Sequence, residues 1–316
     1  MEQAIIISSL RKMMENLPAP QSEGMERASL TENADMSKYT SFKAGGSATA
    51  LVEVRSTEEL KYVLQFVDAE KIPHMVIGNG SNMLFKDSGY DGLVIKLSQQ
   101  GFDYAKFGDD NTVCVGTALS NGVLAKMLQR EGLAGFEFAS GIPGSLGGAV
   151  FMNAGAYGGE MKDIVKTVKA ISPDGREEKV FSAEEMEFSY RHSILEENGY
   201  IAVEVTLKLE KGDKDAIAAQ MKELLEKRNS KQPVSYPSAG STFKRPEGYF
   251  AGKLIEDAGL KGLTVGGAQV STLHSGFVIN KGGATATDIL QLIALVQNTV
   301  YDKFGVMLEP EVRIIG

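Results

Sequence analysis

Residues 141–159 read GIPGSLGGAVFMNAGAYGG, and seven of these nineteen residues are glycine. A glycine inside a helix costs roughly 1 kcal/mol against alanine. Spacings of three, three and then a pair therefore argue against a helix interior here. Glycine instead lets the main chain approach a large neighbour with no Cβ in the way. Exposed N–H groups in such a loop form concave anion sites suited to a pyrophosphate. A bulged, tightly packed turn is the other reading that the spacing allows. No G-x-x-x-x-G-K-[ST] occurs, and no G-x-G-x-x-G precedes a helix, so the loop is neither a P-loop nor a Rossmann fingerprint.

The rest of the chain limits what that loop can serve. With 316 residues it is long enough for two or three domains. A net charge of −8 argues against nucleic acid as a partner, since counterion release needs a basic surface. Any phosphate must then be held by backbone amides and a few placed cations. A single cysteine, Cys114, excludes an internal disulfide and a cysteine metal cluster, and it lies in an apolar run that favours an inert thiol. Three histidines without H-E-x-x-H make zinc improbable. No run of eighteen apolar residues and no signal-peptide pattern occurs, so a cytoplasmic location and no membrane partner are expected.

Apolar spacing predicts a helix over 5–17, then a polar, aperiodic arm over 18–38. A strand at 49–55 leads through a capping box, Ser56 with Glu59, into a helix and then a strand at 75–78, one βαβ unit. Strands are expected at 93–97 and 112–116, and a helix over 120–131 stopped by Gly132. Pro173-Asp174-Gly175 marks a hairpin between 165–171 and 177–181, followed by a second capping box, Ser182 with Glu185. An alternating strand at 200–209 ends in charged residues 210–214, the best domain boundary. Helices over 215–228, 251–257 and 287–304 and strands at 277–280 and 311–315 complete a mixed helix and strand pattern.

Four clusters join the glycine loop as candidates. Asn79–Asn82 is a turn at the end of a buried strand, where such sheets bind ligands, or a turn and nothing more. Tyr190-Arg191-His192-Ser193 sits between a capped turn and a strand, where a lone arginine is more often a surface charge. Residues 239–244, AGSTFK, follow a proline-rich loop, and hydroxyls in such a place are more often caps than catalysts. Glu311 opens the last strand, in LEPEVR.

Together, GNGSN at 78–82, the 141–158 loop, YRHS at 190–193, AGSTFKRP at 239–246 and LEPEVR at 308–313 resemble the signature blocks of the UDP-N-acetylenolpyruvoylglucosamine reductase family. The resemblance runs in order from about residue 39 to the end, and residues 1–35 carry none of it. It implies an α+β fold: a two-subdomain FAD-binding domain of the vanillyl-alcohol-oxidase type, then an α+β substrate-binding domain. On this chain that places a helix and arm at 1–38, the FAD domain at 39–210 with subdomains 39–100 and 101–210, and the substrate domain at 211–316. The final strand, 311–316, is expected to return to the FAD domain.

By the same resemblance FAD lies, without a covalent link, against Gly78, Asn79, Gly80, Ser81 and Asn82. On its other side stand Gly141, Ile142, Pro143, Gly144, Ser145, Gly147, Gly148, Asn153, Ala154 and Gly155. NADPH is the implied reductant, and UDP-N-acetylglucosamine enolpyruvate the implied substrate, with no protein partner required. Ser241 matches the proton donor to C2. Arg191 and Glu311 match the residues that steady the carboxylate, Glu311 in its protonated form. Lys231 matches a diphosphate-binding lysine, Arg245 stands where a longer branch of the family has an asparagine, and Tyr190 and Lys244 are further substrate residues. That longer branch has a tyrosine-bearing insertion after the last strand of the FAD domain, whereas here residue 209 leads almost directly into a helix. A flavin-linked oxidase of a small alcohol or hydroxy acid, and a non-catalytic flavin or nucleotide module, are the competing readings.

Overall fold

The computed structural model describes residues 3–19 and 26–316. The chain divides into two compact units of interleaved segments. The first comprises 1–32, 50–79 and 92–226, and the second 33–49, 80–91 and 227–316.

The first unit is built chiefly on two larger sheets. A four-stranded sheet has the order Ser29–Asp35, Ser47–Val54, Tyr90–Leu97, His74–Ile77, and its last pair is parallel. Apolar faces of the helices Gln3–Glu15 (Ile6, Leu10, Met13) and Thr57–Ala69 (Leu60, Val63, Leu64, Val67) share one core with Val52, Val54, Leu93 and Ile95. The strand–helix–strand run forms, but Tyr90–Leu97 pairs between its two strands. A second, antiparallel sheet runs Glu178–Ser182, Val165–Ile171, Ile201–Lys208, Thr112–Gly116, Ala105–Phe107. It packs with the helices Asn121–Glu131 and Leu146–Phe151 around a second core. Gly132, left-handed at φ +68°, ends the former helix as its C-cap.

Several expectations need correction. The arm expected over 18–38 contains the strand Ser29–Asp35 and a short 3₁₀ turn, Met36–Lys38; residues 20–25 lie outside the described residues. That strand is the edge of its sheet, and only Ala34 in it is buried, so backbone pairing rather than an alternating apolar pattern defines it. Ser56 caps its helix through Glu59 N–H, but the Glu59 carboxylate accepts from Arg55 N–H and Ala28 N–H rather than from Ser56. Ser182 and Glu185 make both reciprocal bonds, yet only a turn follows. The glycine stretch, for its part, does contain a helix, Leu146–Phe151, with Gly147 and Gly148 inside it. Six residues of helix carry a small summed penalty, and its backbone is held from outside, as shown below.

The second unit packs the long helix Ala286–Phe304 on a three-stranded sheet of Thr264–Val265, Ala268–Val270 and Val278–Asn280, with the helix Ala251–Asp257 in the same core. Asp87 closes the N-terminus of the long helix, accepting from the N–H groups of Ala286 and Thr287 and from the Thr287 hydroxyl. Those bonds hold the Asp87 carboxyl below its usual range against the opposing effect of burial, the largest single influence on it. Asn280 donates to the carbonyl of Phe42 at 3.0 Å. The last strand, Arg313–Ile315, lies parallel to Met83–Phe85. The 18-residue helix Lys214–Lys231 buries only Ile217, a helix polar on nearly every side. Between Lys208 and this helix stands only the two-residue strand Glu210–Lys211, so no insertion follows the sheet. No helix among the described residues is long and apolar enough to cross a membrane.

Candidate functional site

In the first unit, the glycine stretch and the end of the strand His74–Ile77 come together. A Cβ on Gly78 would stand 2.7 Å from Ser145 Oγ and 4.0 Å from Gly148 N, so the two loops lie side by side with room only for hydrogen at residue 78. Ser145, buried, bridges Ser120 in antiparallel fashion. Leu146 N–H and Gly147 N–H donate to the carbonyls of Leu119 and Thr117, each at 2.9 Å. The two adjacent glycines have different causes. A Cβ on Gly147 would fall 2.8 Å from Thr117 Cβ, so that glycine answers to the protein's own packing. Gly148 is exposed, and its Cβ would meet nothing nearer than Ser145 Oγ at 3.8 Å. The open glycine is the one that faces outward.

Asn121, in no recognisable motif, is fully buried against this loop. Its N–H donates to Gly144 O, and its Nδ2 to Ile142 O at 3.3 Å. Its Oδ1 accepts nothing among the described residues. A buried acceptor without a donor costs about 1–3 kcal/mol, so such an atom marks a place where a ligand or water donor belongs. The only sequence hint was its position one residue after the capping Ser120.

Farther along, Asn153 is buried, left-handed at φ +41°, and spends its whole carboxamide on the protein. Its Nδ2 donates to Glu160 and to the Ser189 carbonyl at 2.8 Å, and its Oδ1 accepts from Lys162 N–H. Ala154 N–H donates to Ala149 O, and Gly155 pairs with Glu160 in a two-residue ribbon. This clamp carries Arg191. Ser189 and His192 exchange backbone bonds around a tight turn with Tyr190 and Arg191 at its tip. Arg191 sits at φ +56°, a sparsely populated region for a residue with a Cβ. Its guanidinium reaches the Gly155 carbonyl at 3.5 Å and lies 4.9 Å from the Tyr190 ring. Lys162 above all, with Asn153 and the charge of Arg191, holds the Glu160 carboxyl below its usual range.

In the second unit, Gly80 (φ +62°) accepts from Ser41 N–H, and a Cβ there would overlap the Tyr39 carbonyl. Asn82 bonds both ways to the C-terminal strand: its Nδ2 donates to Glu311 O at 3.1 Å, and its carbonyl accepts from Arg313 N–H at 3.0 Å. A short ladder then joins 242–244 to 309–311. Glu311 N–H donates to Thr242 O and Lys244 N–H to Glu309 O, both at 2.8 Å. Thr242 is buried, with its N–H on Gly276 O and its Oγ1 accepting from Val278 N–H. Ser241, one residue earlier, is exposed. Ser241 and Glu311 thus flank one backbone junction, while Thr242 faces the core.

The remaining cations differ in their surroundings. Lys244 pairs with Glu309 at 2.5 Å, so its charge is shared rather than turned on Ser241 alone. Arg245 stacks over the Phe250 ring at 4.0 Å. Lys231 is the exposed last residue of its helix.

Residues 48–180 match the family model of an FAD binding domain, and residues 232–315 match that of the C-terminal domain of UDP-N-acetylenolpyruvoylglucosamine reductase. A reductase of that name from Clostridioides difficile (strain 630) is 55% identical over 281 residues, covering 89% of this chain and 91% of the relative. Another, from Caldanaerobacter subterraneus subsp. tengcongensis, is 47% identical over 300 residues, covering 93% and 96%. The crystal structure of the reductase from Thermus caldophilus superposes with a TM-score of 0.78 at 37% identity, covering 92% of this chain and all of that one.

Proposed function

Because the chain belongs to the UDP-N-acetylenolpyruvoylglucosamine reductase family, we propose that the loops around Gly78 and Gly148 hold its flavin and that Ser241, Arg191 and Glu311 carry its chemistry. The protein is an NADPH-dependent flavoenzyme that reduces UDP-N-acetylglucosamine enolpyruvate to UDP-N-acetylmuramate in peptidoglycan precursor synthesis, and its cofactor is FAD. It works in the cytoplasm and needs no protein partner.

The loop residues fit a dinucleotide. Gly148 leaves its outer face open, Asn121 offers an unused buried acceptor, and Ser145 at the helix N-cap makes no side-chain capping bond. FAD, when bound, carries hydride from NADPH to C3 of the enolpyruvyl group. Ser241 then delivers a proton to C2. Arg191 and Glu311 stabilise the charge that gathers on the substrate carboxylate as its enolate forms, Arg191 by its cation and Glu311 as a neutral acid donating a hydrogen bond. Lys231 and Arg245 take the diphosphate, and Tyr190 and Lys244 are further substrate residues. The observation that carries this reading is the Glu311 N–H bond to Thr242 O, which makes Ser241 and Glu311 neighbours across one junction. Anaerobic mixing tests it: NADPH should bleach the flavin, and the enolpyruvyl substrate should restore the colour. Colour returned equally by a small alcohol's oxidation product would sink the reading in favour of an oxidase.

The two glycines separate cofactor contact from packing. Gly148→Val should fold with a melting temperature near that of the apo parent yet purify colourless, because only a ligand meets that side chain. Gly147→Val should lose stability by roughly 1–3 kcal/mol through its clash with Thr117. Absorbance at 450 nm and thermal melts of both variants check this. A fully yellow Gly148→Val protein would remove the loop from the cofactor site.

A further inference from the structure

The motif at 190–193 ends in a serine that has no part in the chemistry described so far. Ser193 is completely buried, and its hydroxyl donates to the carbonyl of Phe151, 42 residues earlier, at 2.8 Å. A serine just ahead of a helical turn ordinarily accepts from that turn's N–H groups as a cap. Here the turn Leu195–Asn198 begins with no side-chain cap, and the hydroxyl reaches across the fold instead. Its acceptor belongs to the glycine stretch. Phe151 is the last residue of the short helix Leu146–Phe151, and Gly148 lies three residues, or about 4.5 Å of axial rise, before it. The carbonyls of Gly148, Ala149 and Val150 accept from the N–H groups of Met152, Ala154 and Asn153, whereas the Phe151 carbonyl takes the Ser193 hydroxyl.

We propose that Ser193 is a positioning residue that fastens the turn bearing Arg191 to the flavin-side helix, so that the guanidinium is set in register with the cofactor; this rests on the reading of function given above. The backbone strain at Arg191 argues for it. A residue with a Cβ holds φ +56° only where its surroundings over-determine it. The turn is held on both flanks. On one side the Asn153 carboxamide donates to Ser189 O at 2.8 Å. On the other, Ser193 Oγ holds Phe151 O, and Ile194 N–H donates to Met186 O at 2.9 Å. Asn153 and Phe151 lie two residues apart, so both flanks are tied to one piece of backbone. With one tie cut, the turn can relax and Arg191 loses its aim at the substrate carboxylate. A misplacement of 1 Å in a positioned group costs on the order of 10²-fold in rate. Ser193 itself is shut off from solvent, so it acts only through Arg191.

Rapid mixing of the reduced, FAD-loaded enzyme with the enolpyruvyl substrate, without oxygen, tests this. Ser193→Ala should purify yellow, be reduced by NADPH within about twofold of the parent rate, and be reoxidised about 10-fold more slowly. Combined with Arg191→Ala it should be no slower than Arg191→Ala alone, because the serine acts through that side chain. Calorimetry on the oxidised enzyme gives a readout besides rate. Ser193→Ala should weaken the enolpyruvyl substrate about 3- to 10-fold and leave UDP-N-acetylglucosamine, which has no carboxylate, unchanged. Ser172→Ala is the control for lost stability. It removes hydroxyl bonds to the N–H groups of Arg176 and Glu177 elsewhere in the same unit, and it should keep both rates. Should Ser193→Ala fail to fold, Ser193→Cys, a weaker donor of similar shape, carries the same comparisons. Equal slowing of both half-reactions, additive losses in the double variant, or a Ser172→Ala enzyme slowed like Ser193→Ala would make the serine a fastener of the fold alone and overturn the proposal. Reoxidation of Ser193→Ala at the parent rate would overturn it as well. An Arg191→Ala enzyme reoxidised at the parent rate is a distinct result, which sinks the role given to Arg191 and this proposal with it.

Discussion

Ser241→Ala enzyme is expected to stay yellow, bleach with NADPH and bind UDP-N-acetylglucosamine enolpyruvate, yet be reoxidised by it about 10² to 10⁴ times more slowly than the parent. Without a proton for C2, the hydride adduct returns to starting material. The exposed position of Ser241 means its loss disturbs no packing. Ser241→Cys should recover part of the rate, a thiol having similar reach. Thr242→Ala makes the contrast, since it removes the acceptor for Val278 N–H and leaves a buried donor unpaired. That variant should lose roughly 1–3 kcal/mol of stability and keep most of its rate. Rapid mixing of the reduced enzymes with substrate, without oxygen, reads both. Reoxidation of Ser241→Ala at the parent rate would take the serine out of the mechanism.

Arg191→Ala and Glu311→Gln should each slow reoxidation about 10²- to 10³-fold while changing reduction by NADPH much less. On the proposed mechanism only the second half-reaction builds a doubly charged enolate, and only there do preorganised donors matter. The local structure makes the test clean. Asn82 and Thr242 hold Glu311 by its backbone, so glutamine leaves the ladder intact. Arg191 adopts its left-handed turn against a steric preference, so Arg191→Gly should relieve that strain and still lose the rate. Losses of equal size in both half-reactions would assign these residues to the shared diphosphate or to the fold.

How much of this the sequence disclosed depended on the physics at each place. Helices with one apolar face, such as Thr57–Ala69 and Ala286–Phe304, were readable because burial imposes a period of 3.6. Ser29–Asp35 was not, because an edge strand of polar residues is held by backbone bonds that leave no mark on side-chain order. The glycine stretch was half legible. Its close approaches were expected, but part of them is to Thr117, twenty-four or more residues upstream of every glycine in the stretch, and the short helix was missed because its first turn is secured by Thr117 and Leu119. Asn121 and Gln232 carried no motif at all. Each stands out only once packing shows a buried oxygen with nothing to accept. The roles of Ser241, Arg191 and Glu311 came from resemblance. What the structure adds is their settings: a strained turn for one, and a shared backbone junction for the other two.

Asp87 closes the first turn of a helix that begins 199 residues downstream. Ribosomes extend a chain by about 5–20 residues per second, so the Asp87 carboxylate is synthesised roughly 10–40 s before the N–H groups that need it. Asn280 and the Phe42 carbonyl wait longer still, being separated by 238 residues. Segments 33–49 and 80–91 therefore emerge long before 227–316, the rest of their own unit. Closing such long loops is entropically costly and slow. The second unit cannot assemble as it is translated; it is completed only when nearly the whole chain has been made.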